Sequence, residues 1–329
     1  MRILKALTFG LGLLLFVWIV RKLGVGNLVE GFQRCGWRLA IPIVLVFPCY
    51  LLYTFSWQAF LRRFEHHAIG FWTLFRIKVA GEAANTLTPL NFAGGDPLRI
   101  WLLARKFPVS IGGASVVVDR TLQILAVVTL IFLGNIAALV RLEFPPFAKT
   151  ILGTTAFLLF VLISFFLFQQ TRGLFRKILV WVTRLKLRTF SANTRGKIEE
   201  LDRHLHDFYR RDRGLFFLCY CMHLAARAIG IVEIWLLASL LGVPMGPWEA
   251  VFFSAVIPVT NLLGAIVPGT FGVLEGVVSS LFFALHWNPA DGIVLQLARR
   301  IRACFWILLG MIFLMLARRS PRLDRGPPL

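Results

Sequence analysis

The stretch FWTLFRIKVAGEAANTLTPLNFAGGDPLRIWLLARK (residues 71–106) decides how this chain is read. Its apolar residues would make a helix, but Gly81-Glu82, Asn85, Thr86, Thr88-Pro89, Asn91 and Gly94-Gly95-Asp96-Pro97 interrupt them. A plain membrane span needs roughly 20 consecutive apolar residues to cross about 30 Å of hydrocarbon, and this stretch is too broken for that. Irregular backbone at such depth is tolerated only where protein covers it or it lines a cavity. The stretch therefore reads as a helix-loop-helix dipping into a membrane.

Plain apolar spans flank it, over about 39–61, closed by Arg62-Arg63, and about 113–140. Another follows at about 150–170. Residues 171–213 form the only long polar stretch, with twelve Lys and Arg against five Asp and Glu. Beyond it come a span at about 214–242 and a second interrupted segment, 248–287, broken at Val267-Pro268-Gly269-Thr270-Phe271-Gly272. A last span, about 291–317, ends at Arg318-Arg319. The N-terminus resembles a signal peptide but runs into Arg21-Lys22 without a small-residue cleavage site, so it reads as a retained first helix over about 4–22. Within 171–213, Leu174, Ile178, Trp181, Val182 and Leu185 share one helical face, as in an interfacial amphipathic helix. Ile198, Leu201, Leu205 and Phe208 make a second, cytosolic stripe, and the whole segment reads as a charged connector lying on anionic lipid.

Of 329 residues, 58% are hydrophobic and 16% charged, with a mean hydropathy of +0.75. A soluble chain carries about 45–50% apolar and about a quarter charged residues. The expected fold class is all-α: one integral membrane domain over 1–329, a polytopic helical bundle with two broken or re-entrant helix pairs. The net charge of +20 would raise nucleic acid in a soluble protein; no such motif is present, and basic loops facing an anionic leaflet account for it. Residues 171–213 and both termini are therefore expected in the cytosol of a cell with an inner membrane. The loop 21–38, carrying Arg21, Lys22, Arg34 and Arg38, strains this orientation.

Cys35, Cys49, Cys219, Cys221 and Cys304 form no CxxC pair, so neither a disulfide framework nor a zinc site is indicated. His66-His67 and His204-x-His206 lack converging ligands. No P-loop, Rossmann glycine set, nucleophile elbow or HExxH occurs, which argues against an ATP-driven pump and supplies no catalytic residue, metal or cofactor.

Sliding the chain against itself by 179 residues lays Pro89 on Pro268, Asp96 on Glu275 and Arg120 on Arg299. It also lays the span 39–61 over 214–242 and the span 113–140 over 291–317. Repeat A then covers about 39–140, a helix and basic connector 150–213, and repeat B about 214–317. Under the expected topology the copies enter the membrane in opposite directions. That is the inverted-repeat pattern of secondary transporters, whose broken helices meet at a midplane substrate site.

Capping alone accounts for the two acids as well as function does. Asp96 would be an N-cap with Pro97 as the first helical residue, and Glu275 would serve the helix start after Gly272. A half-helix N-terminus equally suits a phosphate or carboxylate. Arg120 and Arg299 either snorkel to the interface or stay within the bilayer. There a charge costs at least about 2.5–3.5 kcal/mol and takes a partner, and a guanidinium fork matches phosphate oxygens. Glu82 and Asp119 could neutralise these arginines. Asn85 and Asn261, with Thr86 and Thr88, suit a backbone turning in lipid, while Pro89, Gly94, Gly95, Pro268, Gly269 and Gly272 break the helices. His223, Arg227 and Glu233 fall mid-span, where a structural Arg–Glu pair competes with a functional role.

Four motifs, Gly81-Glu-Ala-Ala-Asn-Thr-Leu-Thr-Pro89, Gly94-Gly-Asp-Pro-Leu-Arg99, Ala114-Ser-Val-Val-Val-Asp119-Arg120-Thr and Val267-Pro-Gly-Thr-Phe-Gly-Val-Leu-Glu275-Gly, resemble the lysylphosphatidylglycerol synthase transmembrane-region family of flippase-like proteins. The spacing is also similar to the branch associated with hopanoid biosynthesis. The resemblance covers nearly the whole chain and implies lipid translocation. In the bifunctional synthases a soluble aminoacyl-transferase domain follows this module. Here the chain stops about a dozen residues after the last span, so lipid aminoacylation is not carried over and no enzyme is expected. The first expectation is a flippase moving a phospholipid or isoprenoid-type lipid between leaflets, its anionic head group met by Asp96, Arg120, Glu275, Arg299, Glu82, Asn85 and Asn261. The alternative is a non-transporting accessory subunit that docks a lipid-modifying or glycosyltransferase enzyme through its basic cytosolic segment.

Overall fold

A computed structural model describes residue 21 and residues 25–64, 69–88, 94–141, 146–170, 192–264, 270 and 272–319. Outside them lie the expected helix 4–22, the amphipathic face at 174–185, His66-His67, Pro89, Asn91, Pro268, Gly269 and the basic tail. The described residues are helical and contain no strand.

Helix α1 (Val25–Cys35) leads through a short 3-10 turn (Gly36–Ala40) into α2 (Ile41–Leu61). Next come α3 (Phe71–Leu87), α4 (Gly95–Leu103), α5 (Val109–Arg141), α6 (Pro146–Gln170), α7 (Ala192–Arg211) and α8 (Arg213–Leu240). The last three are α9 (Pro247–Leu263), α10 (Val273–Ala284) and α11 (Pro289–Arg319). Four helical stretches are long and apolar enough to span a membrane: Gln33–Leu61, Val109–Arg141, Arg213–Leu240 and Pro289–Ala317. The helices of the interrupted segments are not. The longest of them, α3 and α9, have 17 residues each and reach about 26 Å at about 1.5 Å per residue, short of the hydrocarbon thickness. Large apolar side chains face outward on the bundle, among them Phe157, Leu158, Phe160, Leu162 and Phe165 of α6, a surface suited to lipid rather than water.

Two apolar cores sit at opposite ends of the long helices. One gathers Leu61, Leu74, Leu103, Ile111, Phe208 and Cys219; the other gathers Cys35, Ala138, Leu237, Phe253, Phe282 and Val294. The hairpin α3–α4 opens at the first end, where Leu74 and Leu103 lie, and α9–α10 opens at the second, where Phe253 and Phe282 lie. Helices α2 and α8, which the 179-residue shift lays on one another, meet antiparallel. Across α2 and α8, Cys49 lies against Ala226, Tyr53 against His223, and Ser56 against Cys219.

The packing is also reciprocal. The short helix α3 of the first half lies on α11 of the second, and α9 lies on α5. Both contacts close on a glycine. A Cβ at Gly310 would stand 2.6 Å from the Ala83 Cβ, and one at Gly134 would stand 2.2 Å from the Ala255 Cβ. Small residues let helix backbones approach closely where lipid offers no hydrophobic drive for association.

The stripe on α7 packs on protein rather than standing alone on lipid. Leu205 and Phe208 are fully buried, and Leu201 touches the Gly113 position of α5. Arg63 pairs with Asp212 where this helix turns into α8. The His204 imidazole lies edge-on to Phe64, with ring centroids 5.1 Å apart, and burial holds its pKa below the ordinary value against the pull of Glu200. A histidine depressed in this way takes up its proton less readily in the docked helix than in the free one. The docked state is then fully stable above about pH 6.5 and loses stability as pH falls toward the lowered pKa.

Two outcomes follow. Gly310→Leu and Gly134→Leu should each destabilise by about 1–3 kcal/mol or more through overpacking, read as a lower melting temperature in detergent, while Gly153→Ala on the open side of α6 should hold or raise it. Hydrogen exchange over 192–211, corrected for intrinsic rates, should rise between pH 7.5 and 5.5 in the wild type and much less in His204→Phe.

Candidate functional site

The break between α3 and α4 is held by side chains of its own hairpin. Asn85 accepts the Gly95 N–H at 2.8 Å through Oδ1 and donates to Asp96 at 3.2 Å through Nδ2. The backbones touch here: a Cβ on Gly95 would fall 1.9 Å from the Gly81 carbonyl oxygen, so glycine is required. Asp96 is not the N-cap. That position belongs to Gly94, and Asp96 lies inside the first turn. Its carboxylate instead faces across to α5, where Arg120 grips it with two bonds of 2.7 and 3.0 Å, and Arg99 adds a third at 3.3 Å. A bidentate guanidinium–carboxylate pair fixes orientation as well as charge.

Behind this pair lies a second, drier one. Asp119 on α5, 1% exposed, receives Lys78 from α3 and Arg99 from α4. The Arg99 guanidinium stacks 4.4 Å from the Trp57 ring, and His223 of α8 stands 3.7 Å away from Asp119. Glu82 lies 3.8–3.9 Å from Lys78, Arg99 and Arg120. Three cations thus meet three anions in the first half. Asp119 and Glu82 neutralise arginines as the sequence suggested. Lys78 and Arg99 carry as much of the cluster, and neither stood out. Lys78 could have been flagged as a lone cation in the apolar run 71–80, four residues before Glu82.

In the second half Gly272 precedes α10 with φ +77°, a left-handed conformation that favours glycine. Glu275 accepts its N–H at 2.9 Å, as a capping role requires, and also receives Arg300. Thr270 donates to Asn261 at 3.0 Å across the break. Both acids therefore cap or brace a half-helix and bind an arginine of the following long helix.

The expected match of Arg120 with Arg299 is corrected here: the arginine that plays Arg120's part is Arg300. The interval from Asp96 to the start of α5 is thirteen residues, and from Glu275 to the start of α11 it is fourteen. One residue turns a helix by about 100°, which moves Arg299 off that face. Arg299 instead stands 3.7 Å from Glu233, whose other oxygen is bound by Arg302. Arg227 takes no part in that pair.

Between the clusters lies a cavity of about 320 Å³. Its charged and amide walls are Glu82 and Gln123 from the first half and Arg227, Glu233, Asn261, Arg299 and Arg302 from the second. Asp96, Arg120 and Glu275 do not line it; they hold the elements that do. Glu82, Asn261 and Arg299 were among the expected head-group residues and do reach it.

Over residues 3–310 the chain matches the family model described as the lysylphosphatidylglycerol synthase TM region. It belongs to that family. A UPF0104 membrane protein of Methanothermobacter thermautotrophicus is 21% identical over 320 residues, covering 93% of each chain. No solved structure gives a significant match. The family match spans both charged clusters and the cavity between them.

Removing one member of a buried ion pair costs about 3–5 kcal/mol. Asp119→Asn, which takes the nearest anion from two buried cations and leaves them only the more distant Glu82 and Asp96, should therefore lower the detergent melting temperature sharply. Asp96→Asn, at a carboxylate 19% exposed, should cost less than half as much.

Proposed function

We propose that this protein moves a lipid between leaflets of the cell's inner membrane, and that the cavity between its halves receives the head group. The observation that carries this reading is the cavity itself, walled by charged side chains from both halves and flanked by hairpins that open toward opposite ends of the bundle. Antiparallel pairing of α2 with α8 supports treating the halves as an inverted repeat. In such folds, substrate binds where discontinuous helices meet near the midplane, and rocking of one part against another exposes the site to each side in turn. Arg62, Arg63 and the basic helix α7 gather at one end, which under the positive-inside rule supports a cytosolic orientation for that end; both termini are proposed to lie on the same side. The outer Arg34 is neutralised by Asp291 at 2.7 Å, which relieves the strain that loop 21–38 put on this orientation. No covalent step is assigned to the chain.

Docking of a partner enzyme through the basic segment is the competing reading. Much of the apolar stripe on α7 is already used on the protein's own core, which leaves less surface for capture.

The test is reconstitution in liposomes with a fluorescent lipid and a membrane-impermeant quencher. Wild type should expose inner-leaflet lipid to the quencher, and Asp96→Asn/Glu275→Gln should slow that exposure at least roughly tenfold while keeping its helical content. Absence of movement with phosphatidylglycerol, phosphatidylethanolamine and an isoprenoid phosphate alike would overturn transport in favour of docking.

A further inference from the structure

The two clusters differ in charge. In the second half, Arg227, Arg299, Arg300 and Arg302 stand against two acids of their own half, Glu233 and Glu275. Both acids are engaged, Glu275 by Arg300 and Glu233 by Arg302 with Arg299 farther off. The first-half cluster is neutral, so two positive charges remain uncompensated on one side of the cavity. Arg227 has no hydrogen bond or ion pair among the described residues, and its Nε is shielded from solvent without a partner. Arg299 Nε likewise makes no hydrogen bond. Across the cavity the Ser254 hydroxyl on α9 is buried and unpartnered. Glu82 and Glu233 each keep one carboxylate oxygen without a hydrogen bond, but the cations around the cavity outnumber its acids, and guanidinium forks with a free hydroxyl describe a site for an oxyanion that offers several oxygens at once.

A second chamber of about 170 Å³ adjoins the first, sharing Val46, Tyr50, Glu82 and Arg302. It runs between α2, α3 and α11, past Ala83, Trp306 and Ile307. A ligand with its anion at Arg227 has a route for a hydrocarbon chain there, along Val46, Ala83, Ala303, Trp306 and Ile307 and past the charged Glu82 and Arg302. A soluble phosphate has no use for one.

We infer that Arg227, with Arg299 and Ser254 beside it, binds the phosphate group of a lipid whose chain leaves the cavity between α2, α3 and α11. The inference rests on the transport reading for its setting and specifies the substrate class as phosphate-bearing lipid. Arg227 has no counterpart in the first half, so the site is single. The phosphate would be held on the second half's side throughout.

The measurement is the melting temperature of the purified protein in neutral detergent, titrated with short-chain phosphatidic acid, short-chain diacylglycerol, glycerol phosphate and inorganic phosphate. Phosphatidic acid should stabilise the wild type by several degrees and diacylglycerol should not. In Arg227→Gln, which removes an unpaired charge, the melting temperature without lipid should hold or rise. Its apparent affinity for phosphatidic acid should fall roughly ten- to a hundredfold, as expected for loss of charge-assisted hydrogen bonds, with partial recovery in Arg227→Lys.

Equal stabilisation by inorganic phosphate or glycerol phosphate would overturn the lipid assignment and point to a soluble anion. An unchanged titration in Arg227→Gln would overturn the site. A large loss of stability in Arg227→Gln without lipid, undiminished by Arg227→Lys, would make the residue structural and overturn it as well. Binding that depends on Arg227 with no leaflet exchange would refute transport and leave this site standing. Exchange in a protein whose binding ignores Arg227 would do the reverse.

Discussion

Everything in this molecule depends on how a helix that stops inside a bilayer is held there. Where α3 and α9 end, backbone groups lose their helical partners in a medium that supplies none. The chain answers twice with the same device, an acid in the first turn of the returning helix bound to an arginine on the next long one. Asp96 reaches Arg120 and Glu275 reaches Arg300. These pairs do not touch the cavity, yet without them the hairpins that wall it would have no fixed depth. The partners differ in environment as well as position. Glu275 is fully buried and also caps its helix, whereas Asp96 is partly exposed and leaves the break to Asn85.

Much of this was legible in the sequence because breaking a helix in lipid takes unusual residues. Glycine, asparagine and proline inside apolar runs marked both hairpins, and the long spans fall within a few residues of their expected places. The acids were equally visible, since a carboxylate after glycine in an apolar chain has few reasons to be there. What stayed hidden depends on rotation about a helix axis. Arg299 and Arg300 are adjacent in sequence, and only the length of the turn before α11 decides which of them meets Glu275. Lys78 and Arg99 were hidden for another reason. Their shared partner, Asp119, lies 41 and 20 residues away, and no local spacing announces it. The stripe on α7 was seen, but its apolar periodicity could not say whether lipid or protein would cover it.

The two charged clusters differ in net charge. The first is a closed network in which Lys78, Arg99 and Arg120 are all answered. The second keeps cations in excess around Glu233, so the electrostatic field across the cavity points one way.

The reciprocal packing changes what can move. Because α3 is locked to α11 at Gly310, and α9 to α5 at Gly134, a rigid-body rotation cannot carry one half of the sequence past the other. The bodies that would shear are hybrids, each made of a short helix from one half and a long helix from its opposite. The cavity lies along their seam, with Glu82, Arg299 and Arg302 on one hybrid and Gln123, Ser254 and Asn261 on the other. The Lys78–Asp119 bond and the Arg120–Glu82 contact both tie α3 to α5 across that seam.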